Sequence, residues 1–230
     1  MNDAVILVGG RGRRLGKLTY KTPKPLIKIG DKIFLDILIE KLIIYNFKCI
    51  YFLCSYKKEK FFKRYHNKKI RNTKLICIYE GSQKDTGGGL IKLKNKIKNN
   101  FYLLNGDTIF NVNIIKLSNF RNKKTICKIA LTNNNNYKHN KKINNIKLLK
   151  SNLICFSQNK TNLMNGGIYY FDKKIFKYLS TKKLSLENDI IHKLILEKKV
   201  EGFHSKKKFI DIGTPKKINF LLKNKNYLYK

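Results

Sequence analysis

A loop of glycine and arginine, Gly9-Gly10-Arg11-Gly12-Arg13-Arg14, closes the first apolar run of the chain, and Pro23-Lys24-Pro25 follows soon after. Glycine has no Cβ to block a ligand, and successive backbone N–H groups in such a loop suit phosphate oxygens. Two familiar phosphate loops fail on spacing. A dinucleotide fingerprint needs G-x-G-x-x-G, and from Gly10 and Gly12 the third glycine falls on Leu15. A P-loop needs G-x-x-x-x-G-K-[ST]. Read back from Gly16-Lys17, its first glycine falls on Arg11, and Leu18 fills the hydroxyl position that would ligate magnesium. The second chemical feature is a pair of aspartates. Asp107 follows the apolar run Phe101–Leu104, and Asp211 lies near the end of Phe209–Ile212. Two carboxylates held by rigid strands suit a hard divalent cation, and magnesium takes one or two carboxylates together with phosphate oxygens. The plain alternative is that each caps a turn, as Asp often does.

These residues need elements to hold them. Ala4–Val8, Cys49–Cys54, Leu75–Tyr79 and Phe101–Leu104 are short buried apolar runs and predict strands. Helical patterns at 33–45, 58–65 and 90–97 separate them. Strands alternating with helices predict an α/β, mostly parallel, Rossmann-like sheet with flanking helices. After about Thr125 the pattern turns to strands, at 126–131, 143–149, 153–156 and 167–171, with Ser151-Asn152 as a hairpin turn. A helix at 186–197, strands at 200–204 and 209–212, and a helix after Pro215 complete the pattern. Residues 133–145 are a low-complexity loop with no evident chemistry. Ligands of open parallel sheets bind beyond the carboxyl ends of the strands. That rule selects Gly9–Arg14, Glu80–Gly89 and Asn105-Gly106-Asp107.

Composition limits the alternatives. The chain has 230 residues, 42% hydrophobic, enough for one large domain with a sizeable core. With 51 Lys+Arg against 14 Asp+Glu the net charge is +37, which by itself would suggest nucleic acid. The lysines are spread through the chain among Asn and Ile, with no basic helix or aromatic platform, so a solvated cationic surface is the better account. No signal peptide or membrane-length apolar stretch is evident. Five cysteines without a C-x-x-C read as buried thiols of a reducing cytoplasm, not a zinc site.

Five motifs in order then carry a resemblance that spans nearly the whole chain. They are Gly9–Leu15 with Pro23-Lys24-Pro25-Leu26, Thr86-Gly87-Gly88, Asn105-Gly106-Asp107, Asn165-Gly166-Gly167-Ile168-Tyr169 and Asp211-Ile212-Gly213-Thr214-Pro215. Together they resemble the sugar-1-phosphate nucleotidyltransferases. Ser185-Leu186-Glu187 and Phe209–Gly213 are most similar to the branch that acts as heptose 1-phosphate guanylyltransferase.

The resemblance implies the nucleotide-diphospho-sugar transferase fold in one domain over 1–230. Residues 1–124 would form its nucleotide-binding half and 125–230 a β-rich half that binds sugar phosphate. It implies that a sugar phosphate oxygen attacks the α-phosphorus of a nucleoside triphosphate and pyrophosphate leaves, with positioning and charge neutralisation doing the catalysis. Val8, Gly9, Gly10, Arg11, Gly12, Glu80, Thr86, Gly87 and Gly88 would contact the nucleotide. Arg14 would neutralise pyrophosphate and Lys24 would reach the α-phosphate or the sugar phosphate, with Arg13 and Lys17 left as surface charge. Asp107 and Asp211 would hold Mg2+. Asn165 and Gly166 would meet the sugar, with a turn residue opening the next strand as the alternative for Asn165. The expected partners are a nucleoside triphosphate and a sugar 1-phosphate of heptose or mannose type, with no specific nucleic acid and no membrane. Oligomeric state stays open, a homodimer included.

Two positions depart from the family pattern. Asp85 precedes Thr86-Gly87-Gly88-Gly89, as in uridylyltransferases acting on amino-sugar phosphates, which keeps UTP as the alternative to GTP. The Glu-Lys pair expected before Asn165 is replaced by Phe156-Ser157-Gln158-Asn159-Lys160, leaving Lys160 one residue out of place as the sugar-phosphate lysine. Glu80 carries the base expectation, because a carboxylate can accept from both N1–H and N2–H₂ of guanine. Two rival classes are a basic nucleic-acid binder and a catalytically silent relative. The joint presence of Arg14, Lys24, Asp107 and Asp211 argues against the silent relative.

Overall fold

The computed structural model describes residues 2–81, 85–133, 146–159, 161–180 and 183–228. One eight-stranded sheet organises them. Its strands run, edge to edge, Val200–His204, Cys127–Asn133, Leu163–Phe171, Phe101–Asn105, Asp3–Leu7, Cys49–Cys54, Thr73–Tyr79 and Lys69–Ile70. Phe101–Asn105, Asp3–Leu7, Cys49–Cys54 and Thr73–Tyr79 pair in parallel, with Ala4 opposite both Tyr102 and Ile50. Leu163–Phe171 enters antiparallel between Phe101–Asn105 and Cys127–Asn133. Of the strands expected in a β-rich second half, Cys127–Asn133, Leu163–Phe171 and Val200–His204 extend the same sheet. Ile146–Leu148 pairs with Ile154–Phe156, and Phe209–Asp211 with Thr108–Phe110, in separate two-stranded sheets.

Burial explains the pattern. All six residues of Cys49–Cys54 are buried, as expected for a central parallel strand covered on both faces. In the first strand alternate side chains serve opposite faces. Ala4 and Ile6 join Leu35, Leu38 and Phe61 under the helices Phe34–Ile43 and Lys58–Tyr65. Val5 joins Leu90, Leu93 and Leu194 on the other face. A third cluster packs Leu15, Phe34, Ile109, Ile210 and Leu221 beneath the helix Pro215–Lys223.

Three local expectations change. The helix expected at 90–97 is a helical turn at Asp85–Gly88 and a 3-10 turn at Leu90–Leu93. Leu90, Leu93 and Ile97 there are buried in the core, with Ile91 partly buried against it. The helix expected at 186–197 opens as a π-helical segment, Leu186–Ile191, before the α-helix His192–Leu196. Ser185 causes the widening: its carbonyl accepts from both Asp189 N and Ile190 N. The strand expected from Gly167 starts at Leu163, so Asn165 lies inside it, at a break in register between Asn165 and Tyr169. Asn165 therefore does not open the strand but sits at a bulge within it, where its Oδ1 makes the local bond to Gly167 N that a turn asparagine makes. The low-complexity segment lies outside the described residues from 134 onward. No described helix is long and apolar enough to cross a membrane, and the five cysteines are free thiols.

Candidate active site

The first strand delivers Val8 and the glycine loop to the carboxyl edge of the sheet. Val8 is buried, anchored through its N–H to Leu53 O at 3.1 Å, and Gly9 O accepts from Tyr56 N at 3.2 Å. Beyond that point the loop is open. Among the described residues none accepts from the N–H groups of Gly9, Gly10, Arg11 or Gly12. Gly12 has φ +64°, and a Cβ there would stand 3.0 Å from Thr19 Cγ2 and 3.2 Å from Lys24 Cβ. Glycine is thus required both by the backbone and by the approach of Lys24. Free donors on a loop with no Cβ are what an anion needs.

Opposite the loop, two carboxylates and three cations converge. Gly106 N donates to Leu7 O at 3.0 Å, which fixes the next residue, Asp107, beside the end of the first strand. The short strands Thr108–Phe110 and Phe209–Asp211 pair antiparallel with Asp211 opposite Thr108, and Ile212 N donates to Asp107 O at 2.9 Å. Residues 104 apart in sequence thus meet through backbone pairing. Lys24, only 7% exposed on its short 3-10 turn, forms an ion pair with Asp107. Lys217 Nζ lies 2.5 Å from Asp211 Oδ2, and Gly213 N donates to Asp211 Oδ1 at 2.7 Å. The Arg14 guanidinium completes the cluster, 3.4 Å from the point where a Cβ on Gly213 would stand.

The electrostatics follow from crowding. Burial pushes the Asp211 carboxyl above its usual range; the Asp107 charge adds to the rise, while the Gly213 N–H and the Lys24 and Arg14 charges oppose it. Burial, with the Arg14 and Lys24 charges, brings Lys217 down to about 8. Two like-charged carboxylates in one pocket favour a cation between them. Asp107 and Asp211 offer only hard oxygens, a donor set that fits Mg2+ shared with phosphate. Among the described residues no cluster of three or more His, Cys, Asp or Glu could hold a metal. Lys217 was not singled out by the sequence; its position six residues after Asp211, in the first turn of the last helix, was the available signal.

The base side rests on Glu80. Its N–H donates to Cys54 O at 3.0 Å, and its carboxylate is held between Gly9 and Gly89, where a Cβ on either would collide with a carboxylate oxygen. It is 8% exposed, and no hydrogen bond from a described residue reaches its carboxylate. Burial raises it to about 7. A shift of that size disfavours the ionised form by about 3 kcal/mol.

The segments that carry Thr86–Gly88, expected at the nucleotide, and Asn165–Gly166, expected at the sugar, are built differently. Thr86 Oγ1 accepts from Leu186 N at 3.0 Å and donates to Glu187 Oε2 at 3.3 Å. Gly87 N and Gly88 N both donate to Leu184 O, so these glycines supply close packing and not free donors. Asn165 Oδ1 accepts from Gly167 N at 2.9 Å, and its Nδ2 donates to Tyr169 Oη at 2.6 Å. Gly166 packs so closely that a Cβ would stand 2.6 Å from the Phe110 ring. Arg11 and Arg13 are exposed. Lys160 lies outside the described residues. Tyr169 and Glu187 are functional candidates that received no role from sequence, although Ser185-Leu186-Glu187 was visible as a motif.

Comparison with known proteins fits this arrangement. The chain belongs to the nucleotidyl transferase family, whose model matches residues 3–225. Among its relatives is the D-glycero-alpha-D-manno-heptose 1-phosphate guanylyltransferase of Campylobacter jejuni, 32% identical over 227 residues, 96% of this chain and 100% of that protein. The bifunctional protein GlmU of Methanocaldococcus jannaschii is 33% identical over 220 residues, 93% of this chain and 52% of the relative. The chain thus spans about half the length of the GlmU relatives it matches. Among solved structures, HddC from Yersinia pseudotuberculosis, complexed with GMP-PN, superposes with a TM-score of 0.76 at 26% identity, covering 97% of this chain and 99% of that one. The architecture is the nucleotide-diphospho-sugar transferase fold that the five motifs led us to expect.

Proposed function

We propose that this chain transfers a nucleotidyl group from a nucleoside triphosphate, with GTP preferred, to a sugar 1-phosphate of heptose or mannose type. An oxygen of the sugar phosphate bonds to the α-phosphorus, the bond from that phosphorus to the bridging β-phosphate oxygen breaks, and pyrophosphate leaves with the electron pair. The observation that carries the reading is the facing of open N–H groups on Gly9–Gly12 and the Arg14, Lys24, Asp107 and Asp211 cluster. The loop would hold the triphosphate, Arg14 would stabilise the charge gathering on pyrophosphate, and Lys24 would orient the α-phosphate. Mg2+ held by Asp107 and Asp211 would neutralise phosphate charge when bound. The chain's own residues supply alignment: Lys24 is buried and fixed in place by the carboxylate it pairs with.

GTP is favoured by magnitudes at Glu80. Ionising this buried carboxyl costs about 3 kcal/mol, and hydrogen bonds to a charged group return about 1.5–3 kcal/mol each. Guanine brings two adjacent donors and offsets that cost. Uracil brings one donor flanked by carbonyls that face the carboxylate unfavourably. UTP with an amino-sugar phosphate is the second reading, supported by the run Asp85-Thr86-Gly87-Gly88-Gly89. A panel of nucleoside triphosphates against sugar 1-phosphates, read as released pyrophosphate with and without Mg2+, tests both. Fastest turnover with GTP and a heptose or mannose 1-phosphate is expected. Faster turnover of UTP with every sugar phosphate would overturn the base assignment.

A further inference from the structure

Four side chains from distant parts of the sequence form one continuous hydrogen-bond relay. Asn165 Nδ2 donates to Tyr169 Oη at 2.6 Å, Tyr169 Oη donates to Glu187 Oε1 at 3.2 Å, and Thr86 Oγ1 donates to Glu187 Oε2 at 3.3 Å. Each link has one direction. An ionised carboxylate only accepts, so both hydroxyls must point their protons at Glu187. Tyr169, having spent its proton, can only accept from Asn165, which fixes the amide with nitrogen toward the ring and oxygen toward Gly167 N. Tyr169 is fully buried, so its hydroxyl has no water to turn to if the acceptor is lost. The carboxylate itself sits on the π-helical segment Leu186–Ile191, a widened turn of the kind often found at functional sites.

We infer that Glu187 is a positioning residue that sets the orientation of the Asn165 amide toward the sugar and locks the Thr86 turn in register with it. The inference rests on the nucleotidyltransferase reading proposed above. Glu187 reaches Asn165 through Tyr169 with one oxygen and holds Thr86, the residue expected at the nucleotide, with the other. Loss of the Tyr169 link alone therefore falls on sugar phosphate recognition more than on nucleotide binding. One N–H and one oxygen lone pair of Asn165 remain for the substrate, and the relay acts together with the Gly167 N–H to decide which of them points where.

The test is a pair of kinetic splits on the full chain. Glu187→Gln replaces one acceptor with a donor, so one of the two hydroxyls must turn away. Tyr169→Phe removes the middle link and keeps the ring. Each variant should raise KM for the sugar phosphate about tenfold, the scale of one misdirected hydrogen bond. In Tyr169→Phe, which leaves the Thr86–Glu187 bond in place, KM for the nucleoside triphosphate should stay within about twofold. The double variant should cost no more than the worse single one, because links of one relay are not additive. Glu187→Asp, which keeps both acceptor oxygens, should recover part of the sugar KM. An unchanged sugar KM in either variant, an equal rise in both KM values with a lowered Tm in Tyr169→Phe, or additive single effects would each overturn the relay. A wild-type chain that releases pyrophosphate with no pair of substrates would fail the parent reading and take this one with it. Wild-type turnover with no split in the variants would fail this inference alone.

Discussion

The two sides of the site differ in how their hydrogen-bonding capacity is used. On the nucleotide side the N–H groups of Gly9–Gly12 and the Glu80 carboxylate have no hydrogen-bond partner among the described residues. Around the expected sugar site Asn165, Tyr169 and Glu187 already bond to one another, and Thr86, Gly87 and Gly88, expected at the nucleotide, bond to Glu187 or to Leu184. The loop donors lie on an exposed to half-buried segment that water can reach, whereas the buried Glu80 carboxylate left open is costly unless a ligand completes it. Under the proposed function the first side would be a receptor held ready, and the second a frame that orients the few groups it leaves open. Asp107 and Asp211 would stand at the junction and serve both.

That position predicts the largest effect. Asp107→Asn or Asp211→Asn should lower turnover on the order of a thousandfold, the scale of losing one preorganised charge, while circular dichroism shows an intact fold. Near-normal Mg2+-dependent rates in either variant would remove the junction from the comparison. Next come the cations. Arg14→Ala and Lys24→Ala should each depress kcat/KM on the order of a hundredfold, and Arg13→Ala should change little. Equal losses from all of these would mean a diffuse field in place of directed contacts.

Steric closure of the receptor ranks third. Gly89→Ala would put a methyl 2.8 Å from Glu80 Cβ and closer still to its carboxylate. The slot should narrow and raise KM for the nucleotide by roughly tenfold to a hundredfold, the effect of about 1–3 kcal/mol of overpacking. KM for the sugar phosphate should hold steady, and a parallel rise there would blur the distinction between the two sides.

The smallest expected effect is the most diagnostic of the base. Glu80→Gln should erode the preference for GTP over UTP by about tenfold. Because the free carboxyl titrates at about 7, wild-type kcat/KM for GTP should rise as pH passes through that value, and the Gln variant should lack the inflection. Stability carries the opposite sign. A carboxyl raised above its unfolded value of 4.5 contributes most below pH 4.5 and loses that contribution as pH climbs to about 7. Wild type should therefore melt below Glu80→Gln above pH 7, with the gap closing in acid. A gap that widened in acid would show that Glu80 is not a buried acid.

How much of this was legible in sequence followed from locality. Cys49–Cys54, Lys58–Tyr65 and Val200–His204 have the boundaries their own residues suggested, because apolar runs and helical spacing are written locally. Gly9–Gly12, Lys24, Asp107 and Asp211 were found because each sits in a short motif at a strand or turn end. Glu187 received no role because its partner Thr86 comes from a remote segment, and Lys217 received none because Asp107 and Lys24, which share its pocket, are equally remote. No local period encodes a contact across the sheet. The π-helical start at Leu186 was also hidden, since Ser185 and the residues after it read equally well as an ordinary capped helix.

The antiparallel insertion of Leu163–Phe171 has a consequence for taking the molecule apart. That strand covers Phe101–Asn105, four of whose five residues are buried. A fragment ending near residue 124 would keep the glycine loop, Glu80 and Asp107, yet it would present Phe101, Tyr102, Leu103 and Leu104 along a bare, unpaired edge. Such an edge recruits further strands. Expressed alone, the amino-terminal half should aggregate in place of folding into a small nucleotide binder, so each half of the chain acts as the other's solubility partner.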